Sequence, residues 1–156
     1  MSPRAAWRLE ALGFQRVYDY VAGKVEWLAF GLPREGTATA EPTAGAAAQR
    51  DVPTAGLDDR LHDVRERVGA AGWDTCVVVN EQRVVLGRIG RSALRGSNDT
   101  SASAVMTEGP STIRPNTLLS VELERMTARN LTSVVVTTPD GRLFGVLRLA
   151  DAQRLA

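Results

Sequence analysis

From about residue 57 onward, apolar positions switch twice between a helical spacing and a strand-like run. LDDRLHDVRERVGAAG (57–72) places Leu61, Val64, Val68 and Ala71 on one face, which predicts an amphipathic helix. DTCVVVN (74–80) and RVVLGRI (83–89) follow as two valine-rich strands joined by a turn, and RSALRG (91–96) reads as a short helix. The order then repeats. STIRP is extended, NTLLSVELERMTARN (116–130) is a helix with Leu119, Leu123 and Met126 on one face, and TSVVVTT and RLFGVLRL are strands about a PDG turn. ADAQRL is the closing helix. Laid over each other, Thr75–Val79 matches Thr132–Val136 at a separation of 57 and Gly87 matches Gly145 at 58, as if the second turn held one extra residue. Two copies with a period of that length predict an α/β fold of two β-α-β-β-α units about a pseudo-twofold axis, sheet against sheet, rather than a solenoid.

Upstream the pattern changes. Residues 1–36 carry Trp7, Phe14, Tyr18, Tyr20, Trp27 and Phe30, and predict a helix over PRAAWRLEALG, a short strand over RVYDY and a helix around KVEWLAF, an appendage of helix, strand and helix. Arg34–Gly56 is dominated by Ala, Thr, Gly and Pro, with Val52 its one bulky apolar residue, so it reads as a mobile linker without core material. The predicted boundaries are 1–36 for the appendage, 37–50 for the linker, 51–100 for the first repeat and 101–156 for the second.

VMTEGPSTIRPNTLLSVELERM, TSVVV before a PDG turn, and GVLRLAD (145–151) carry a resemblance. The doubled block resembles a tandem pair of CBS domains, whose closing pattern is Gly, two hydrophobic residues, Thr or Ser, two variable residues and Asp. The resemblance implies two repeats packed face to face around a cleft that binds AMP, ADP, ATP or S-adenosylmethionine, a regulatory and non-enzymatic role, and assembly into homodimers that act on a partner protein. In physical terms, Gly145 lets backbone approach a ligand closely, Val146 and Leu147 lead to the next helix, and a helix start suits phosphate. Asp151 there can accept both hydroxyls of a ribose. Thr112, Ile113, Ser133 and Val134, at strand starts, are further lining candidates. The first copy has Ala93 where the second has Asp151, so occupancy should be unequal. Arg148 stands where the pattern has Thr or Ser, and Gly90 is its equivalent in the first copy. A guanidinium at that position either clamps a phosphate chain or fills the cleft, paired with Asp151. The alternative function is therefore a ligand-free interaction or dimerisation module.

Composition narrows the partners. Nineteen basic residues against 18 acidic ones give a formal charge of +1, which supplies no broad field for nucleic acid or an anionic membrane. The single cysteine, Cys76, excludes an intrachain disulfide, and the charged start is unlike a secretory leader, so a cytoplasmic setting is expected. Cys76 lies in TCVVV and reads as a buried small hydrophobe. His62 has no Cys or His at a metal-like spacing, so no metal site is expected. SPRAAWRLEALGF, RVYDY, AGKVEW and GLP resemble the last third of a rhodanese domain. That family's catalytic cysteine loop has no counterpart here, which implies a remnant or truncated fusion without sulfurtransferase activity.

Overall fold

The computed structural model describes residues 3–18, 23–33 and 41–155. Helix α1 (Pro3–Ala11) and helix α2 (Gly23–Ala29) form the N-terminal piece, and α3 (Ala44–Ala47) and strand β1 (Thr54–Ala55) follow. Helix α4 (Leu61–Ala70), β2 (Cys76–Val79), β3 (Val85–Ile89) and a single 3₁₀ turn (Ala93–Arg95) complete one half. The other half contains α5 (Ala102–Val105), β4 (Thr107–Glu108), β5 (Thr112–Ile113), α6 (Leu119–Ala128), β6 (Ser133–Thr137), β7 (Leu143–Arg148) and α7 (Leu149–Leu155).

Two sheets result, in the orders β1-β2-β3-β4 and β5-β6-β7, each with a parallel first pair and an antiparallel hairpin. Leu61, Val64 and Val68 of α4 close one core with Cys76, Val78 and Ile89, and Leu119 and Met126 of α6 close another with Val134, Val136 and Leu147. A third cluster of Val52, Val77, Val135, Leu143 and Val146 draws on both sheets and lies between them. The predicted packing of sheet on sheet with helices outside is therefore present. Each fully buried Val, Leu or Met stabilises by roughly 1.5–3 kcal/mol relative to exposure. At the far end the two hairpin turns pair with each other through Val84 and Arg142, with Leu143 N–H donating to Arg83 O at 2.8 Å and Val85 N–H to Gly141 O at 3.0 Å.

The register differs from the sequence reading. Thr54 pairs with Val77 and Thr112 with Val135; Val78 pairs with Gly87 and Val136 with Gly145; both hairpins are irregular at the same step, after Val78 and after Val136. The offset is 58 throughout, so CVVV lies over VVVT and the turns have equal length. Arg83 and Gly141, 58 apart, share the positive φ of that turn. Three valines in a row carry no alternation, so matching the runs by eye slips one residue and turns every side chain to the opposite face.

The stretch read as a linker is structural from residue 41. Ala44 and Ala102, 58 apart, are both fully buried at the start of equivalent short helices. Ala44 N–H donates to Thr117 O and Ala102 N–H to Asp59 O, each at 2.8 Å. Gln49 bridges Val146, as Thr107 pairs with Arg88. The duplicated unit thus begins near residue 43, and its first helix is exchanged: α3 packs on α6, α7 and β7, while α5 packs on β3. Small residues look like linker composition, yet they are what close backbone approach requires; a Cβ on Gly45 would lie 2.9 Å from Pro115 O.

Three smaller expectations change. Ala71 is exposed, because α4 ends at Ala70 and Gly72 takes φ 66°. RSALRG forms one 3₁₀ turn, anchored by buried Leu94, not an α-helix. Residues 16–18 of RVYDY are not strand, and the remaining two lie outside the described residues. The helices over 3–11 and 23–29 match the pattern, but Trp7, Phe14 and Tyr18 are exposed.

Candidate functional site

The 58-residue repeat generates two clefts at the junction of the halves. The first, about 540 Å³, is lined by residues that include Trp73, Thr75, Arg91, Thr132, Ser133 and Arg148. The second, about 380 Å³, is lined by residues that include Arg88, Gly90, Arg125, Arg129, Leu131 and Ser133. Three lining positions correspond across the repeat: Trp73 with Leu131, Thr75 with Ser133, and Arg148 with Gly90. The clefts are therefore variants of one site, made unlike by side chains.

In the first cleft the Arg148 guanidinium lies over the Trp73 ring, 3.5 Å from its centroid. A cation on an indole face is worth about 0.5–2 kcal/mol, depending on desolvation. Trp73 in turn packs on the inter-sheet cluster that holds Val52, Val77 and Val146. Thr75, Thr132 and Ser133 bring hydroxyls to the same cleft, and Arg91 at its rim pairs with Asp74 at 3.0 Å. Arg148 makes no pair with Asp151 among the described residues.

Asp151 is committed elsewhere. Its Oδ2 accepts from Gln49 Nε2 at 3.2 Å and its Oδ1 from Arg154 at 2.9 Å, and it lines neither cleft. The carboxylate expected to receive ribose thus ties α7 to the residue-49 strap. Gly145 is also used internally. A Cβ there would sit 2.4 Å from Gln49 O, so the close approach it permits is that of the strap backbone, not of a ligand. Val146 and Leu147 are core residues, Thr112 is exposed, and Ile113 packs in the second half's core. Of the nine candidates, Arg148 lines the first cleft, Val134 the second, and Ser133 both.

Three residues the sequence reading passed over matter here. Trp73 is, with Phe144, one of two aromatic residues after residue 56, and its place just before DTCVVV could have flagged it. Gln49 lay in the supposed linker. Arg88 ties the halves together, donating to Thr75 Oγ1 at 2.9 Å, Ser133 Oγ at 2.6 Å and Ser133 O at 3.4 Å. Burial lowers its pKa from the usual arginine value. Burial also pushes the Cys76 thiol up to about 12, so it holds no thiolate at neutral pH. His62 is exposed beside Glu66 at 3.6 Å. Among the described residues no His, Cys, Asp or Glu cluster could hold a metal, and no helix is long and apolar enough to cross a membrane.

Residues 102–155 match the family model for the CBS domain. The CBS domains of a transcriptional regulator from Streptococcus pneumoniae superpose with a TM-score of 0.66 at 20% identity, covering 72% of this chain and 97% of that one. The fold is that of a CBS domain pair. Two further CBS-pair-like structures were solved with ligands. The cytosolic domain of the Mg2+ channel MgtE, in complex with ATP, has a TM-score of 0.67 at 17% identity over 74% of this chain, which spans only 49% of its length. The CBS domain pair of protein MJ0100, in complex with 5′-methylthioadenosine and S-adenosyl-L-methionine, has a TM-score of 0.65 at 16% identity over 74% of this chain and 96% of that one. No curated protein sequence matches the chain. The matched segment 102–155 begins at α5.

Proposed function

We propose that this chain is a regulatory module that senses an adenosine-containing ligand, AMP, ADP, ATP or S-adenosylmethionine, in the first cleft. The observation that carries the reading is Arg148: it faces that cleft, stacked on Trp73 and without an acidic partner among the described residues. A guanidinium so placed offers N–H donors to phosphate or carboxylate, and the Thr75, Thr132 and Ser133 hydroxyls offer partners to ribose. Ligands of this class sit in the MgtE and MJ0100 structures, which share the fold. Asp151 acts through Gln49, holding the strap against β7, and does not touch the ligand. A thermal-shift screen with the four ligands tests the reading. At least one should raise Tm in a dose-dependent way, and Arg148→Gln should remove most of that rise; no shift with any of the four would reject it.

A second reading, a ligand-free interaction module, draws on the exposed Leu118 and Val121 of the second repeat, whose counterparts in the first are Arg60 and Asp63. Homodimerisation through that face is the form proposed here. Sulfurtransferase chemistry has no support, because the one thiol is buried and protonated.

A further inference from the structure

We infer that the second cleft is a separate oxyanion site, one that takes a phosphate or pyrophosphate group without a nucleoside. The inference concerns a different cavity from the adenosine site and does not depend on it.

Three guanidinium groups, Arg88, Arg125 and Arg129, line this one cavity, and no acidic residue lines it. Each has a distinct state. Arg88 spends three of its five N–H donors on Thr75 and Ser133 and is thereby fixed in place. Arg125 is held by the carboxylate of Glu122 in a two-point pair, at 2.8 and 2.6 Å, which offsets its charge but orients its remaining donors. The Arg129 guanidinium has no ion pair or hydrogen bond among the described residues. Net charge at the cleft is therefore about two positive units, supplied by Arg88 and Arg129. Thr107, Ser111 and Ser133 add hydroxyls to the lining.

The same repeat position that carries Arg148 in the first cleft is Gly90 in the second, and a Cβ there would meet nothing within 4 Å. Leu131 replaces Trp73, so no indole ring occupies the interior. No carboxylate lines the cavity to repel an anion. What remains is a small cavity of about 380 Å³ whose charged lining is all cationic, roomy enough for a pyrophosphate.

The test is calorimetric titration of the full chain with pyrophosphate, with inorganic phosphate, and separately with adenosine. Pyrophosphate should bind at one site per chain, with affinity that falls steeply as salt rises. Arg129→Gln, an exposed substitution, should weaken it about tenfold or more. Gly90→Leu should fill the cavity and abolish binding while Tm stays unchanged. Neither variant should alter the response to adenosine, which reports on the first cleft, so the two readings fail separately. Absence of pyrophosphate and phosphate binding at millimolar concentration would overturn the inference. So would pyrophosphate binding that survives both variants, or binding that requires adenosine.

Discussion

Gly145→Ala tests the strap at residues 48–50, which pairs with β7 through Gln49 and Val146. The added methyl would lie 2.4 Å from Gln49 O and 3.2 Å from Gln49 C, and backbone atoms cannot swing aside as a side-chain tip can. Relief requires that residues 48–50 move off β7, which breaks the reciprocal pair between Gln49 and Val146, each bond 2.9 Å. Overpacking costs about 1–3 kcal/mol, and the two hydrogen bonds contribute about 0.5–1.5 kcal/mol each, so a loss of roughly 2–6 kcal/mol is expected. For a chain of this size, at about 2–4 °C per kcal/mol, that lowers Tm by roughly 4–24 °C. Thermal and urea melts read the stability, and amide hydrogen exchange at Gln49 and Val146 reads the strap. The repeat supplies controls. Gly90→Ala meets open space and should stay within about 0.5 kcal/mol of the parent. Gly87→Ala presses on the Met106 side chain, Sδ at 2.4 Å, which can turn, so its cost should be smaller than that of Gly145→Ala. An unchanged Tm for Gly145→Ala, or rapid exchange at Gln49 in the parent, would refute the strap.

Arg125→Leu should cost about 3–5 kcal/mol, because it leaves the nearly fully buried Glu122 carboxylate without its partner, and a urea melt would register it. Cys76 should resist alkylation at pH 8 until the chain unfolds. Because its folded pKa of about 12 lies above the ordinary thiol value of 9.0, the unfolded chain releases the proton first. Stability from this group is thus intact below pH 9 and falls between 9 and 12, by at most about 1.4 kcal/mol per pH unit. Light scattering should report twice the chain mass, and substitution of exposed Val121 by Glu should return it to one.

The pattern of apolar positions disclosed α4, α6, the two hairpins and the doubling, because α4 and α6 each bury one stripe and the valine runs form strands. What it hid had specific causes. Three consecutive valines concealed the register, which backbone pairing settles. The buried alanines at 44 and 102 carry too little apolar surface to stand out, although TAGAAA and SASAVM recur at the same 58-residue offset. The site was legible as a region but not as a residue set. Arg148 was singled out by its departure from the CBS pattern and does line a cleft, whereas Asp151 and Gly145 fit the pattern and turn inward to Gln49. No local signal told ligand-facing from strap-facing positions, since the strap lies about 100 residues away in the chain.

Isothermal titration of the chain with AMP, ATP and S-adenosylmethionine, repeated on Arg148→Gln, bears most directly on the sensing role. Saturable binding of one adenosine-containing ligand per chain, weakened about tenfold or more when the guanidinium is removed, is the predicted result. No heat of binding with any of the three, or an affinity indifferent to Arg148, would contradict it.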